Sequence, residues 1–355
     1  MPHDRLTAAQ RAALDHVRAQ VRGDRPLPDG PALLAAVRAH GRITLNFHPD
    51  RLLADGRTVA EGLAADGRYR SQFETGVTSG SRTAFPGGER DGWEERLFGR
   101  AYHLPPAPPT ERPVYGALDL MGHPDGAAPR FGSCHVRLRP EVSARATYCH
   151  GDSHLGPTDV GTLDAFEDVL AGLVTGATAA LLGVPGVDPV AHLLALGAGG
   201  PERTRPAGGP GSAATRAPGR ALDDYVEAQV HGPVDLATDA EALVLDPSFA
   251  GTDTGALLVD LAARSGIAVE WHGGFTLTAD AVPADFRGPA MPPLAARVLA
   301  EHSPAGLLDA EVLGRATRSA VTAPDRWAEW GPELPQYLKQ LWHCLVGYGQ
   351  ANDRR

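Results

Sequence analysis

The stretch YVEAQVHG, residues 225–232, alternates polar and apolar side chains with a period of two. In an extended strand, successive side chains point to opposite faces. Glu227, Gln229 and His231 therefore share one face, and the intervening Val and Ala residues share the other. The alternation predicts a strand with one face packed on a core. Its polar face is open to two interpretations: a solvated edge strand, or the wall of a cleft in which Glu227 acts chemically.

Three upstream segments predict further strands: VYGALDLM (114–121), GSCHVRLRP (132–140) and ARATYCH (144–150). In the second segment, Cys, Val and Leu alternate with His and Arg, which is typical of a half-buried antiparallel strand. The three segments do not have the alternating strand and helix rhythm of a parallel sheet. The sequence therefore predicts an α+β fold with a mainly antiparallel sheet.

Helical patterns stand at both ends of this strand region, so we predict one α+β domain over residues 1–355. Its parts are N-terminal helices in 1–41, a mainly antiparallel core in 42–285 and C-terminal helices in 286–355. Within the core, the segment from about 197 to 220 is dense in Gly, Pro and Ala. This composition favours a flexible insertion.

Charge and cysteine content restrict the partners and the compartment. The chain of 355 residues carries a formal net charge of -10, which argues against nucleic acid as a partner. Its three cysteines form no Cys-x-x-Cys pair, which favours a reducing, cytoplasmic setting. The first helix pattern, with Thr7 as its N-cap, lacks the apolar segment of a secretory signal, and no apolar run reaches membrane-spanning length.

The chain has a single lysine, Lys339, in the segment KQLWHC. A phosphate-binding P-loop needs a lysine beside Ser or Thr after a glycine turn, and a pyridoxal enzyme needs a lysine that forms a Schiff base in its site. The surroundings of Lys339 match neither requirement. These two classes of enzyme are therefore excluded.

Two polar segments are candidate ligand contacts. In FETGVTSGSRTAF, glycines let the backbone approach a ligand, and the hydroxyls of Thr78 and Ser79 supply short hydrogen-bond donors. In NFHPDR, His48 and Arg51 follow a strand, where they would meet phosphate or ribose. A flexible surface turn and a capped strand end would produce the same residues, so both alternatives stay open.

A third polar cluster, YCHGDSHLGPTD, provides a different chemistry. If this loop curls, His150, Asp152 and His154 converge on a divalent metal, as in a metal-dependent hydrolase. Asp and Ser side chains that stabilise a loop explain most of the same residues. A protein without catalytic activity, which binds a ligand or a partner, is a further alternative.

Taken in order, several segments resemble an uncharacterised bacterial family known as a domain of unknown function. They are NFHPDR, SQFETGVTSG, RPVYGALDL, PRFGSCHVRLRP, the GDS of residues 151–153, and YVEAQVHGPVDL with LDPSF. The resemblance extends from about Leu6 to Gly349. It implies no established activity.

The same order of segments is also similar to the ADP-ribosyltransferase superfamily, including its toxin-like and phage-associated members. Those proteins hold NAD on a small, split antiparallel sheet, and their sites use an early strand, a middle hydroxyl-bearing strand and a late strand with a glutamate. Members with a Glu-x-Glu pair use the second acid, whereas here Glu227 is followed by Gln229. The resemblance therefore implies Glu227 as the acid.

This resemblance implies a cofactor-binding set of His48 or Arg51 for ribose or phosphate, with Thr78 and Ser79 supporting the nucleotide. Tyr115 would stack on nicotinamide, or else pack within the sheet. Glu227 would stabilise the ribosyl cation, and Gln229 and His231 would face the same cleft and position the acceptor. The implied activity is cleavage of the nicotinamide-ribose bond of NAD, with transfer of ADP-ribose to an unidentified acceptor or to water. No resident metal is implied.

Overall fold

The computed structural model of the protein describes residues 5–76, 84–175, 180–182, 184–199 and 221–352. The predicted insertion at 197–220 therefore falls outside the described residues, apart from its first three positions. Thr78 and Ser79 also lie outside them.

The strands of the described residues follow the chain in this order: β1 Arg42–Phe47, β2 Arg68–Tyr69, β3 Val114–Asp119, β4 Cys134–Leu138, β5 Ala146–His150, β6 Val160–Thr162, β7 Ala180–Leu181, β8 Val184–Pro185, β9 Val226–Val230, β10 Val234–Asp235, β11 Ala240–Leu245 and β12 Ala268–Trp271. Eight of them form one sheet in the order β12-β11-β4-β1-β3-β9-β5-β6. The remaining four form two short ladders, β2 with β10 and β7 with β8.

The helices of the same residues are α1 Ala8–Gln20, α2 Gly30–His40, α3 Val59–Asp66, α4 Gln72–Thr75, α5 Glu89–Leu97, α6 Glu167–Thr175, α7 Pro189–Gly197, α8 Leu236–Asp239, α9 Asp253–Ser265, α10 Met291–His302, α11 Ala310–Thr322 and α12 Leu334–Tyr348. The predicted N-cap of α1 is confirmed, because Thr7 Oγ1 accepts the backbone N–H of Gln10 at 3.4 Å and the Gln10 side chain accepts that of Thr7 at 2.9 Å. In the part of the chain that the structure describes, no helix has the length and apolar character needed to cross a membrane.

Antiparallel pairing dominates the large sheet, as the alternating segments predicted. The exception is β11 with β12, a parallel pair whose connection contains α9. Parallel neighbours need such a crossover because the chain must return to the same end of the sheet. The sequence predicted an α+β fold flanked by helices, which is confirmed. It also predicted a split sheet, whereas the eight strands pair in one continuous ladder.

Strand β9 lies inside this sheet, between β3 and β5. All five of its residues are buried, and its apolar side chains Val226, Ala228 and Val230 are fully enclosed in the main hydrophobic core. The interpretation of YVEAQVHG as a solvated edge strand is therefore wrong. The polar side chains of β9 lie on the opposite face of an interior strand, where burial forces them to find partners within the protein.

Side chains directly opposite one another on paired strands share a face of the sheet. Thr44 of β1 pairs with Ala117 of β3, and Ala117 pairs with Glu227 of β9. In the next row, Tyr115 of β3 pairs with Gln229 of β9. This polar face extends across three adjacent strands. The small side chain of Ala117, between Thr44 and Glu227, leaves space above the middle strand.

The interior position of β9 predicts slow hydrogen exchange. The amide hydrogens of residues 226–230 bond to strands on both sides, so they should exchange only when the sheet opens, and more slowly than those of the edge strand β12. Hydrogen exchange followed by mass spectrometry or NMR measures this order. Exchange of β9 as fast as that of β12 would contradict the topology.

Candidate active site

A pocket of about 150 Å³ opens over this polar face. One water molecule needs roughly a tenth of that space, so the pocket has room for part of a ligand. Its wall includes four of the predicted site residues, His48, Arg51, Tyr115 and Glu227, and it also includes Asp152. The fold thus brings together residues that lie as far apart as positions 48 and 227 of the chain.

Glu227 is the buried acid of this pocket, with 6% of its surface exposed. Gln229 Nε2 donates a hydrogen bond to its Oε1 at 2.8 Å, and the backbone N–H of Ser153 donates to its Oε2 at 3.4 Å. Burial, followed by the nearby charge of Asp152, raises the pKa of Glu227 to about 7. The carboxyl group therefore changes charge near neutral pH.

The pKa of Asp152, the second acid of the pocket, is shifted in the opposite direction from that of Glu227. Burial alone would raise its pKa, but hydrogen bonds from the side chain and backbone N–H of His154 and from the hydroxyl of Tyr225 outweigh burial and lower it. Tyr225 Oη donates to Asp152 Oδ2 at 2.8 Å. The pocket thus contains one carboxylate that is ionised at neutral pH and one carboxyl group that exchanges a proton there. In enzymes, two carboxyl groups whose surroundings separate their pKa values can divide the roles of acid and base between them.

A chain of buried hydrogen bonds extends behind Glu227. Thr147 Oγ1 donates to Gln229 Oε1 at 2.7 Å, which leaves the Gln229 amide to donate to Glu227. Because Thr147 has one hydroxyl hydrogen, its oxygen accepts from His231 Nε2 at 3.1 Å, and His231 Nδ1 then accepts from the hydroxyl of Tyr102. The bonds fix the orientation of the Gln229 amide. That orientation in turn fixes Glu227 Oε1.

Gln229 and His231 do not face the cleft, contrary to the expectation from the sequence. Both are fully buried, and neither lines the pocket. Burial, and next the charge of Arg145, lowers the pKa of His231 to about 3, so its ring is neutral at physiological pH. Gln229 and His231 are kept out of the cleft because Phe98 and Tyr102 cover this end of the polar face. The rings of both residues pack against His231. Gln229 and His231 therefore lie behind Glu227 and not in the wall of the pocket.

Tyr115 lines the pocket, but part of its ring is already in contact with the protein. The guanidinium of Arg90 lies 4.4 Å from the ring centroid, and Tyr115 Oη donates to Glu94 Oε1 at 2.9 Å. Arg90 also lines the pocket, and no carboxylate among the described residues forms an ion pair with it. Arg90 therefore covers one face of the Tyr115 ring.

His48 and Arg51, which follow β1, also line the pocket. The His48 ring contacts Trp342 of α12 edge to face, with the centroids 4.9 Å apart. Burial lowers the pKa of His48 well below its ordinary value, and the charge of Arg51 lowers it further, so the imidazole is neutral at pH 7. His48 therefore acts as a neutral hydrogen-bonding group, and Arg51 carries the positive charge.

The metal-dependent hydrolase would need His150, Asp152 and His154 to converge. In the structure, His154 instead pairs with Asp152 at 2.7 Å, while His150 Nε2 lies 3.7 Å from Asp224. Among the residues described, no group of three His, Cys, Asp or Glu side chains is placed to hold a metal ion. The local loop bonds account for this cluster, and the ligand set that this alternative predicted is not assembled.

A family model described as "Protein of unknown function (DUF3626)" matches residues 42–348. The chain belongs to this family. The "Gene 2 protein" of Mycobacterium phage D29 is 36% identical over 98 residues, which are 28% of this chain and 34% of that protein. The matched part therefore spans about a third of the length of this curated relative.

Two pocket residues of this DUF3626 member were not identified as such from the sequence. Arg90 belongs to α5, whose letters show no site pattern, and only the three-dimensional structure places it over Tyr115. Asp152 was considered as a metal ligand, whereas it is the acid that lines the pocket beside Glu227. The glycine turn before it, with Gly151 at φ +85°, was the available signal that the loop reverses toward the sheet.

The raised pKa of Glu227 predicts a pH-dependent stability. Its folded pKa of about 7 exceeds the ordinary 4.5, so its contribution is complete below pH 4.5 and is lost as the pH rises through 7. Between about pH 4.5 and pH 7, the unfolding free energy of the wild type should fall by up to about 3 kcal/mol more than that of Glu227→Gln, because the amide does not titrate. Urea denaturation of both proteins measures it. Asp50 and Glu94, also raised to about 7, are common to both proteins. Parallel pH curves would contradict the assignment.

Proposed function

We propose that this pocket is the active site of an ADP-ribosyltransferase-like enzyme that cleaves the nicotinamide-ribose bond of NAD. The observation that carries the proposal is the convergence of three adjacent strands on one pocket. His48 follows β1, Tyr115 lies on β3 and Glu227 lies on β9. The superfamily that the sequence resembles also builds its site from an early strand, a middle strand and a late strand with a glutamate. The residues matched to its middle strand, Thr78 and Ser79, lie outside the described residues, and Tyr115 of β3 lies between the other two strands here.

The proposed chemistry uses the two carboxyl groups differently. In NAD the pyridinium nitrogen carries a positive charge, so nicotinamide leaves as a neutral molecule when the bond from ribose C1′ to nitrogen breaks. The developing ribosyl cation is stabilised by negative charge, which ionised Asp152 and Glu227 supply. The acceptor oxygen then bonds to C1′, and its proton passes to Glu227, whose pKa near 7 suits a general base. With water as the acceptor, the product is free ADP-ribose.

The remaining pocket residues have binding roles in this proposal. Neutral His48 hydrogen-bonds a ribose hydroxyl, and Arg51 pairs with phosphate. The nicotinamide ring stacks on the face of Tyr115 that lies opposite Arg90. NAD is thus a substrate, the acceptor is unidentified, and the setting that we propose is the cytoplasm, where the three buried thiols stay reduced.

Glu227→Gln tests the proposal directly. The amide keeps the shape of the side chain but supplies neither negative charge nor a base, so nicotinamide release should fall by about 100-fold or more. Release from NAD, followed by chromatography with and without candidate acceptors, measures the effect. In the wild type, the rate should also rise through about pH 7 as Glu227 ionises.

Glu241→Gln is the matched control, because Glu241 is an exposed glutamate of β11 outside the pocket. It should release nicotinamide at the wild-type rate. NAD that binds without any release would favour the alternative of a non-catalytic binding protein. Release that persists undiminished in Glu227→Gln would refute the role of that residue.

A second substitution separates positioning from packing. Gln229→Met preserves the length of the side chain but removes the hydrogen bond that holds Glu227 and lowers its pKa. The rate at pH 7 should fall by about tenfold, and the pH profile should shift to higher pH, because the ionised carboxylate has lost a donor. An unchanged profile would mean that Gln229 has only a structural role.

A further inference from the structure

Arg90 lines the pocket from the first turn of α5. Residues three and four positions apart share one face of a helix, so Arg90, Trp93 and Glu94 lie on the same face of α5. Glu94 fastens this face to β3, because its Oε1 accepts the hydroxyl of Tyr115 at 2.9 Å. The anchored helix therefore holds Arg90 over the strand that carries Tyr115.

Two aromatic rings hold the guanidinium of Arg90 in place. Its central carbon lies 4.4 Å from the ring centroid of Tyr115 and 5.1 Å from that of Trp93. The faces of aromatic rings attract a cation, so both contacts restrict the movement of the side chain. They do not, however, supply an oxygen acceptor for its N–H groups.

The N–H groups of Arg90 have no acceptor in the part of the chain that the structure describes. Its Nε is buried and has no hydrogen-bond partner there. The two nearest acids of the same helix, Asp91 and Glu94, both pair instead with Arg112, each at 2.7 Å. A buried donor without an acceptor is costly, so an oxygen acceptor from outside the chain would stabilise this arrangement.

The acids of the pocket do not serve as partners of Arg90 either. Glu227 and Asp152 line the same pocket, and the hydrogen bonds that they accept among the described residues come from other donors. Neither acid is paired with Arg90. The pocket thus contains two acidic groups and, separate from them, a fixed cation whose donors are open. This combination suits a ligand that carries positive charge at one end and an oxyanion at the other.

We propose that Arg90 binds an oxyanion of the ligand that enters the pocket. A guanidinium presents its N–H groups as a planar fork, which matches two oxygens of a phosphate or carboxylate group. The identity of this oxyanion as a phosphate of NAD rests on the proposed function, in which the cationic end of the same molecule meets Asp152 and Glu227. The need of Arg90 for an oxygen acceptor does not rest on it.

Titration calorimetry on the full chain measures this binding without turnover. The probes are ADP-ribose, inorganic pyrophosphate and the dicarboxylate malonate. Arg90→Met keeps an unbranched apolar stem but removes the charge and the donors, so it should bind ADP-ribose about tenfold more weakly or worse. Arg90→Lys restores the charge without the fork and should recover only part of the affinity. Arg96→Met, which removes an exposed arginine of the same helix outside the pocket, is the matched control and should bind as the wild type does.

The outcomes separate this inference from the proposed function. Anion binding that depends on Arg90 and persists in Glu227→Gln supports the inference, even if no nicotinamide is released. Tighter binding of pyrophosphate than of malonate identifies phosphate as the oxyanion, and the reverse order identifies a carboxylate. The inference is overturned if the wild type binds none of the three anions, or if Arg90→Met binds them as tightly as the wild type. If circular dichroism shows that Arg90→Met is unfolded, Arg90→Lys decides in its place, and wild-type affinity in that variant overturns the inference.

Discussion

The structure depends on one constraint, the burial of a glutamate in the middle of an eight-stranded sheet. An ionised carboxylate in such a place is costly unless it is hydrogen-bonded. Here the bonds come from Gln229 and from the backbone of Ser153, which ties the acid to the loop after β5. Asp152 lies in the same loop. The need to satisfy Glu227 therefore also brings the second acid into position.

The two faces of β9 have different surroundings: one packs in the core, and the other carries the polar side chains. Its Val and Ala side chains join the main core, while its polar side chains form a line from the pocket to a closed end beneath Tyr102. Glu227 is the member of that line that meets the pocket. The others are held by one another, with a neutral histidine at the inner end. Strand β9 therefore carries both the hydrogen-bonded residues that hold Glu227 in place and the carboxyl group that faces the pocket.

Local sequence signals were sufficient for the elements but not for their assembly. Capping residues such as Thr7 and period-two alternation predicted most helices and the antiparallel strands, because both depend on neighbours in the chain. The alternation of YVEAQVHG also identified the polar face of β9. It did not show that the strand is interior, because pairing with β3 and β5 is non-local. For the same reason, local segments and the family resemblance indicated four pocket residues, whereas the place of Arg90 in the pocket became visible only in three dimensions.

Lys339 makes the protein suited to selective chemical labelling. It is the only lysine of the chain, so no other side chain presents a primary amine. Acylating reagents attack the neutral amine, and a lowered pKa increases that fraction at a given pH. A dye or cross-linker with an active ester would therefore mark α12 at the small cavity that Lys339 lines together with His48 and Arg51. Apart from the chain's α-amino group, the protein has one amine for selective conjugation, and this amine lies beside His48 and Arg51.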